Sequence, residues 1–292
     1  MREKTGRYID PLTDFGFKHL FGTEPNKKIM IEFLNVLFEG QKHIVDIAYN
    51  DTESAGDTME YKKVIFDLAC TGDQGEQFII EMQRATQKYF RERCLFYLSR
   101  MINQQLPKGE SSWNIVLKEV YLIGVLDFSF EDTQEGEYFH NICLMNSKTS
   151  KLFYDKIGFK FLELPNFNKK AEELTDNMDK WFYLLKNMHH LDKIPASLDT
   201  PLFQKIFRIA EIANLTKEER MLYNSNLKAK WDYENTIAYA EELAENRGKI
   251  RGEIKGEIKT KNKIAAELKK IGMSIEDISN ITQLTFGEIG EL

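Results

Sequence analysis

The chain opens with a pattern typical of an amphipathic helix. Apolar residues recur at helical spacing over residues 27–38 (KKIMIEFLNVLF), at Ile29, Phe33, Val36 and Leu37. This stretch is therefore predicted to form the first core helix. Residues 43–50 then have the composition of a strand and are predicted to begin a sheet.

A hairpin is predicted next. Two apolar runs, at residues 60–71 (EYKKVIFDLACT) and 77–83 (QFIIEMQ), are separated by the turn formers of residues 72–75 (GDQG). A turn centred near Gln74 places Asp67 opposite Glu81. Directly opposed side chains are only ~5 Å apart at Cβ.

The rest of the chain divides into a mixed region and a helical region. A helix is predicted over 87–105, a strand buried on both faces over 117–130, and further strands over 138–145 and 151–164. After Pro165 the apolar spacing is helical, over residues 169–190, 201–213 and 216–247.

The hairpin also concentrates the candidate chemistry of the chain. Glu81 and Gln83 share one face of their strand, because side chains alternate along a strand. Together with Asp67 they bring two carboxylates and an amide into an apolar setting. Two such carboxylates repel each other, and a divalent cation with a preference for oxygen ligands, such as Mg²⁺, would relieve that repulsion.

Three ordered blocks of sequence resemble a known family. Asp67 on one strand and Glu81-x-Gln83 on the next resemble the core of the PD-(D/E)XK nucleases. Residues 14–22 (DFGFKHLFG) and the aromatic and basic residues of 89–97 are similar to flanking blocks of the PD-(D/E)XK family transposases, also called recombination-promoting nucleases. The similarity extends over residues 8–165.

The resemblance implies a fold, a reaction and a set of site residues. The fold would be α/β, a restriction-endonuclease-like αβββαβ core with a mostly helical C-terminal extension. Asp67, Glu81 and Gln83 would be catalytic, and Asp67, Glu81 and Asp14 would bind Mg²⁺ or Mn²⁺. For Asp14, a helix N-cap or a plain surface carboxylate is an equal alternative.

Gln83 departs from the usual pattern of this family, which has lysine at the corresponding position. An amide brings no positive charge and cannot act as a general base. It can still orient a water molecule by hydrogen bonding.

Basic residues accumulate in two places where DNA contact is expected. The net charge over 84–100 is +4. Residues 246–270 contain nine Lys or Arg and three Glu, which gives a net charge of +6. Positive charge next to a metal site suits a phosphate backbone, although a solvated helix face is the ordinary alternative. The predicted DNA-binding residues are Arg84, Lys88, Arg91, Arg93, Arg247, Lys249, Arg251 and Lys255.

The tail has a four-residue repeat over 247–259 (RGKIRGEIKGEIK). It is either a flexible linker or a helix that packs closely on a partner, since each glycine costs ~1 kcal/mol of helix propensity. Residues 262–292 are predicted to form three short helical pieces that resemble a minimal helix-turn-helix. Base readout, packing and homo-oligomer formation through these helices all remain open for this region.

Composition limits the remaining choices. The chain has 292 residues, a net charge of −6 and three separated cysteines, so neither a disulfide framework nor a zinc ribbon is indicated. It shows no signal peptide and no membrane-spanning run, which favours a cytoplasmic location.

These observations predict three regions: a nuclease-like domain over 1–165, a helical extension over 166–246 and a basic tail over 247–292. The expected function is a metal-dependent DNA endonuclease associated with recombination or mobile elements. The alternatives are an inactive nuclease fold that binds DNA or oligomerises, and a plain interaction module.

Overall fold

The computed structural model describes residues 6–51, 53–54, 64–106 and 115–292. It divides into two compact units, Met1–Leu227 and Lys228–Leu292. The three-region division expected from the sequence stays a prediction.

The first unit is built on a mixed sheet. The α-helices that precede residue 211 are α1 (Asp14–Phe21), α2 (Lys27–Leu37), α3 (Phe90–Gln104), α4 (Asn177–Asn187) and α5 (Pro201–Ala210). Its strands are β1 (Ile47–Tyr49), β2 (Glu53–Ser54), β3 (Val64–Ile65), β4 (Leu68–Gly72), β5 (Gln77–Gln83), β6 (Val120–Leu126), β7 (Phe139–Met145) and β8 (Leu152–Glu163). The predicted α/β class is confirmed.

Six strands form the main sheet in the order β1-β4-β5-β6-β8-β7. The pairs β5–β6 and β6–β8 are parallel, whereas β1–β4, β4–β5 and β7–β8 are antiparallel. Strand β6 is buried along its whole length, as its continuous apolar run predicts for a central strand.

The predicted strand over 60–71 is not one strand. Residues 60–63 lie outside the described residues, β3 pairs with β2 in a separate two-stranded sheet, and β4 joins the main sheet. The break falls at Phe66 and Asp67. Hydrogen-bonded pairs alternate along an antiparallel ladder, so the Met82 N–H would face residue 66. It donates instead to Oδ2 of Asp67, at 2.8 Å.

Helices cover both faces of the sheet. On one face α3 packs through Phe90, Cys94, Leu98 and Met101 against strand residues such as Ile79. On the other face the ring of Phe38, at the end of α2, lies 5.5 Å from Phe78 and 4.7 Å from Tyr121.

An aromatic cluster joins the remaining helices of this unit. The indole of Trp181 on α4 lies 5.9 Å from Phe21, 5.2 Å from Phe33 and 5.4 Å from Phe203 on α5. The predicted helical region after Pro165 thus shares a core with α1 and α2.

A 54-residue helix, α6 (Lys217–Lys270), follows, with α7 (Ile275–Thr282) and α8 (Phe286–Gly290) after it. It starts with a capping box, in which Thr216 and Glu219 exchange backbone-to-side-chain hydrogen bonds of 2.8 and 3.2 Å. The glycine repeat is helical, so the linker alternative is wrong. The first of the three expected tail helices is not separate but forms the end of α6. The helix continues to Lys270, and the turn that follows it contains Gly272, whose φ is +82°.

The second unit has a small core of its own. Ala265 of α6 packs with Ile278 of α7, with Leu284 between α7 and α8, and with Ile289 of α8. Thr285 and Glu288 form a capping box at the start of α8. Across the described residues, no helix combines the length and apolar character needed to cross a membrane.

Candidate active site

The hairpin of β4 and β5 sets the two candidate catalytic carboxylates opposite each other. The ladder ends with Leu68 paired to Ile80. Extended by one residue, its register sets Asp67 across from Glu81, and the Asp67 charge is near enough to raise the pKa of Glu81. The turn is closed by a hydrogen bond from Gly75 N–H to Gly72 O, at 3.0 Å. Gly75 has a φ of +88°, which a glycine adopts without strain.

Burial changes the acidity of both carboxyl groups. Glu81 is only 3% exposed, and desolvation together with the nearby Asp67 charge raises its pKa to about 8. Desolvation also raises the pKa of Asp67. The hydrogen bond from the Met82 N–H and the charge of Arg93 lower this pKa, but by less than burial raises it. The site therefore holds its negative charge at a cost that a bound cation would remove.

The Glu81 carboxylate is only partly satisfied. Gln83 donates from Nε2 to Oε2 of Glu81 at 3.2 Å. The other oxygen, Oε1, is buried and has no hydrogen-bond partner among the described residues. A buried acceptor without a partner is costly in a core, and here it marks an open ligand position.

Asp14 lies near this pair but is bound to another residue. It occupies the first turn of α1, where Thr13 and not Asp14 is the N-cap. Its side chain is 59% exposed and pairs with Lys18 at 2.8 Å. After desolvation and the Met82 hydrogen bond, the Asp14 charge is the next influence on the pKa of Asp67, which it raises, while Lys18 lowers it.

A three-residue metal site is not formed by these side chains. In the described part of the chain, no group of three or more His, Cys, Asp or Glu residues is arranged to hold a metal ion. The participation of Asp14 therefore stays a prediction. Sequence reasoning did not single out Lys18 for a role, although its i, i+4 spacing from Asp14 is the signal for such a pair.

The opposed pair itself fits a hard divalent cation. Asp67 and Glu81 offer carboxylate oxygens, and within the described ranges one buried oxygen of Glu81 accepts no hydrogen bond. Mg²⁺ is commonly held by one or two carboxylates, with water and substrate phosphate in the other positions. The donor set is thus adequate for Mg²⁺ or Mn²⁺ without a third side chain.

One predicted DNA-binding cation, Arg93, acts on both carboxylates, and a second, Arg84, is three residues from Glu81 along the chain. The charge of Arg93 on α3 lowers the pKa of Asp67 and Glu81, against the larger effect of burial. Its guanidinium donates to Oε1 of Gln87. Arg84 follows β5 directly, and its buried Nη1 has no partner within the described residues.

The other two cations of this region are placed differently. The Lys88 ammonium lies 4.9 Å from the ring centroid of Tyr89, on an exposed stretch. Arg91 is paired with Asp132, with 3.0 Å between Nη1 and Oδ2. A paired guanidinium is less available to a phosphate, so Arg91 is the weakest of the four candidates.

The second predicted set, Arg247, Lys249, Arg251 and Lys255, lies on α6 in the other compact unit, where all four are exposed. Lys249 pairs with Glu245 at 2.8 Å. Their contact with DNA stays a prediction.

The fold and site together define a class of protein. A six-stranded mixed sheet with flanking helices, and two carboxylates opposed on its hairpin, is consistent with the PD-(D/E)XK nuclease fold. The family model described as PD-(D/E)XK nuclease family transposase matches residues 11–240. The chain belongs to this family, as the three sequence blocks predicted. No curated protein and no solved structure matches it.

Proposed function

We propose that this chain is a divalent-metal-dependent endonuclease that hydrolyses phosphodiester bonds in DNA. Its family indicates a nuclease linked to transposition. The observation that supports the finer statement most directly is the opposed pair of Asp67 and Glu81, in which one buried carboxylate oxygen has no partner among the residues that the structure describes.

The residues around the pair have complementary tasks in this proposal. Asp67 and Glu81 would hold Mg²⁺ or Mn²⁺. When bound, such an ion polarises the phosphate and lowers the pKa of a coordinated water. The Met82 N–H fixes the Asp67 carboxylate by its 2.8 Å hydrogen bond.

Gln83 and the nearby cations would position the reactants. The Gln83 amide shares the strand face of Glu81 and can hold a water by hydrogen bonding, although it cannot accept a proton as a base. Arg93, Arg84 and Lys88 would contact phosphates on either side of the cleaved bond. Such contacts position the DNA without reading its sequence.

The experiment is nicking of supercoiled plasmid in Mg²⁺, Mn²⁺ or EDTA. Asp67→Asn and Glu81→Gln keep the shape of each side chain and remove its charge. The matched control is Asp73→Asn, in the turn of the same hairpin, where the amide oxygen can still accept the 3.1 Å hydrogen bond from Val45 N–H.

The wild type and Asp73→Asn should nick only with metal. The two site variants should lose about 100-fold or more, because even residues that merely support metal ligands account for ~10–100-fold. Equal cutting by all four proteins would overturn the assigned site. Salt-dependent DNA binding without any cutting would instead support a non-catalytic nuclease fold.

Self-association through α6 is a further part of the proposal. Residues 231–246 contain five acidic and no basic residues, whereas 247–263 contain seven basic and two acidic residues. Leu243, Ile250, Ile254 and Ile258 are exposed and recur at spacings of seven and four, which places them on one helix face.

An antiparallel pair with a second copy would use both features. It would cover the isoleucine face and set the acidic half of each helix against the basic half of the other, whereas a parallel pair would oppose like charges. At ~1.5 Å per residue, residues 231–263 extend about 50 Å. The occupant of this face is thus proposed to be a second copy of the chain.

A further inference from the structure

A groove lined by aromatic side chains runs beside α3 in the first unit. Two adjoining cavities, of about 390 and 380 Å³, share Arg91, Phe130 and Asp132. Each is within the ~300–1,000 Å³ range of ligand pockets. Their aromatic lining residues are Tyr89, Phe90, Phe128, Phe130, Phe159 and Phe161.

Tyr89 is held in an unusual conformation at the mouth of this groove. Its φ is +66° and its side chain does not cap the helix that it precedes. A bulky residue in the left-handed region is a genuine outlier. The residue is nevertheless 62% exposed, so burial of the ring does not compensate for the strain. Backbone strain of this kind concentrates at ligand sites.

The groove is connected to the carboxylate pair by a chain of side-chain contacts. Gln87 lines the second cavity and accepts a hydrogen bond from Arg93. Arg93 in turn lies 5.5 Å from the ring of Tyr97, which packs 5.4 Å from Phe66, the residue before Asp67. A strand cleaved at the pair would therefore have its neighbouring nucleotides beside Tyr89.

Charge decides which part of a nucleotide the groove accepts. Its walls include the acidic residues Glu92 and Glu131 and Glu137, which would repel a phosphate, whereas Asp132 is paired with Arg91. The Lys88 ammonium lies at the mouth of the groove, 4.9 Å from the centroid of the Tyr89 ring. Deeper in the groove, the Arg91 guanidinium lies 4.4 Å above Phe130. This arrangement suits a phosphate outside and an uncharged aromatic base inside.

We propose that the groove between Tyr89 and Phe130 binds unpaired nucleobases of the DNA strand next to the cleaved phosphate. The proposal rests on the proposed nuclease function and names its substrate class, which is DNA with a single-stranded segment. In an intact duplex the faces of each base are covered by its neighbours, and a base must leave the stack to be bound elsewhere. Stacking on aromatic side chains tolerates any base.

The test measures binding separately from cleavage. The full chain with Asp67→Asn, in EDTA, is titrated into a short single-stranded oligonucleotide containing 2-aminopurine and into its duplex. Tyr89→Gly removes the ring and relieves the backbone, because glycine adopts positive φ freely. Tyr89→Phe keeps the ring. Phe153→Leu, at an 80% exposed aromatic residue of β8, is the control.

The parent and Tyr89→Phe should bind the single strand more tightly than the duplex and quench 2-aminopurine. Tyr89→Gly should weaken single-strand binding about tenfold and lose the quenching, with a thermal stability at least equal to that of the parent. Phe153→Leu should change neither signal. Phe130→Leu gives a second, independent loss of quenching.

Unchanged affinity and quenching in Tyr89→Gly and Phe130→Leu would overturn the proposal that the groove binds bases, as would equal binding of single strand and duplex. These outcomes are distinguishable from failure of the nuclease proposal. Plasmid nicking that depends on Asp67 would support the nuclease proposal even if the groove bound no base. Tyr89-dependent quenching without any nicking would support base binding in the groove but not the nuclease proposal.

Discussion

Gln83 donates a hydrogen bond to one oxygen of Glu81 at 3.2 Å, while the other oxygen of the same carboxylate is buried and has no partner in the part of the chain that the structure describes. The amide thus holds Glu81 in one orientation and leaves its remaining coordination open. A lysine here would bring its own charge to the carboxylate. With glutamine, that charge has to come from elsewhere, and Arg93 and a bound cation are the available sources.

Metal binding should be visible in stability as well as in activity. Mg²⁺ or Mn²⁺ at ~100 times its dissociation constant adds about 2.7 kcal/mol to the free energy of unfolding. For a domain of this size that raises the melting temperature by about 5–10 °C. The measurement is a thermal melt with and without the ion. Glu81→Gln and Asp67→Asn should lose the shift and Asp73→Asn should keep it. An equal shift in all variants would mean that the ion binds elsewhere.

The buried Lys160 should make stability depend on pH. It is 1% exposed, and burial, with help from nearby Lys42, lowers its pKa to about 8. Its Nζ donates to Asn141 Oδ1 at 3.0 Å. Because the unfolded chain binds the proton more tightly, the destabilising effect is complete below pH 8 and disappears as the pH rises to about 10.5.

Lys160→Met removes the charge at similar volume. At ~1.4 kcal/mol per pKa unit, the variant should exceed the wild type in free energy of unfolding by up to about 3 kcal/mol near pH 7, less the value of the lost hydrogen bonds. The difference should shrink between pH 8 and 10.5 in denaturant titrations. A difference that is constant across this range would show that Lys160 has an ordinary pKa.

The antiparallel pairing of α6 predicts a charge-swap rescue. Replacing Glu241, Glu242 and Glu245 by lysine makes both halves of the helix basic, and replacing Lys255, Lys259 and Lys261 by glutamate makes both acidic. Each triple variant should be monomeric by light scattering, because like charges then face each other. An equimolar mixture of the two, and the chain carrying all six changes, should recover the dimer.

A monomeric wild type at about 100 µM, or triple variants that still dimerise, would rule out this pairing. If instead the lysine-to-glutamate variant loses only DNA affinity, the basic half serves phosphate contact, as predicted for Arg247, Lys249, Arg251 and Lys255. Gly252→Ala is a useful control. No atom of the described residues lies within 4 Å of a Cβ built at Gly252, so the substitution should raise helicity and leave association unchanged.

Local sequence determined the elements and the central pair. The turn formers of residues 72–75 fix the hairpin register, because a tight turn leaves the flanking strands one way to pair. That register sets Asp67, one residue beyond the ladder, across from Glu81. Helical spacing likewise predicted α2 and α3, and the continuous apolar run of Val120–Leu126 predicted the central strand.

Tertiary structure decided what surrounds the pair. The insertion of β8 between β6 and β7, the ion pair of Arg91 with Asp132 and the burial of Lys160 all depend on residues far apart in the chain. Such contacts have no periodic signature in the sequence. The same is true of the break at Asp67, where a side chain takes a hydrogen bond that the pattern assigns to the backbone. Sequence alone fixed the register of the two carboxylates, and only the packing of distant elements set their burial, their charge environment and the groove beside them.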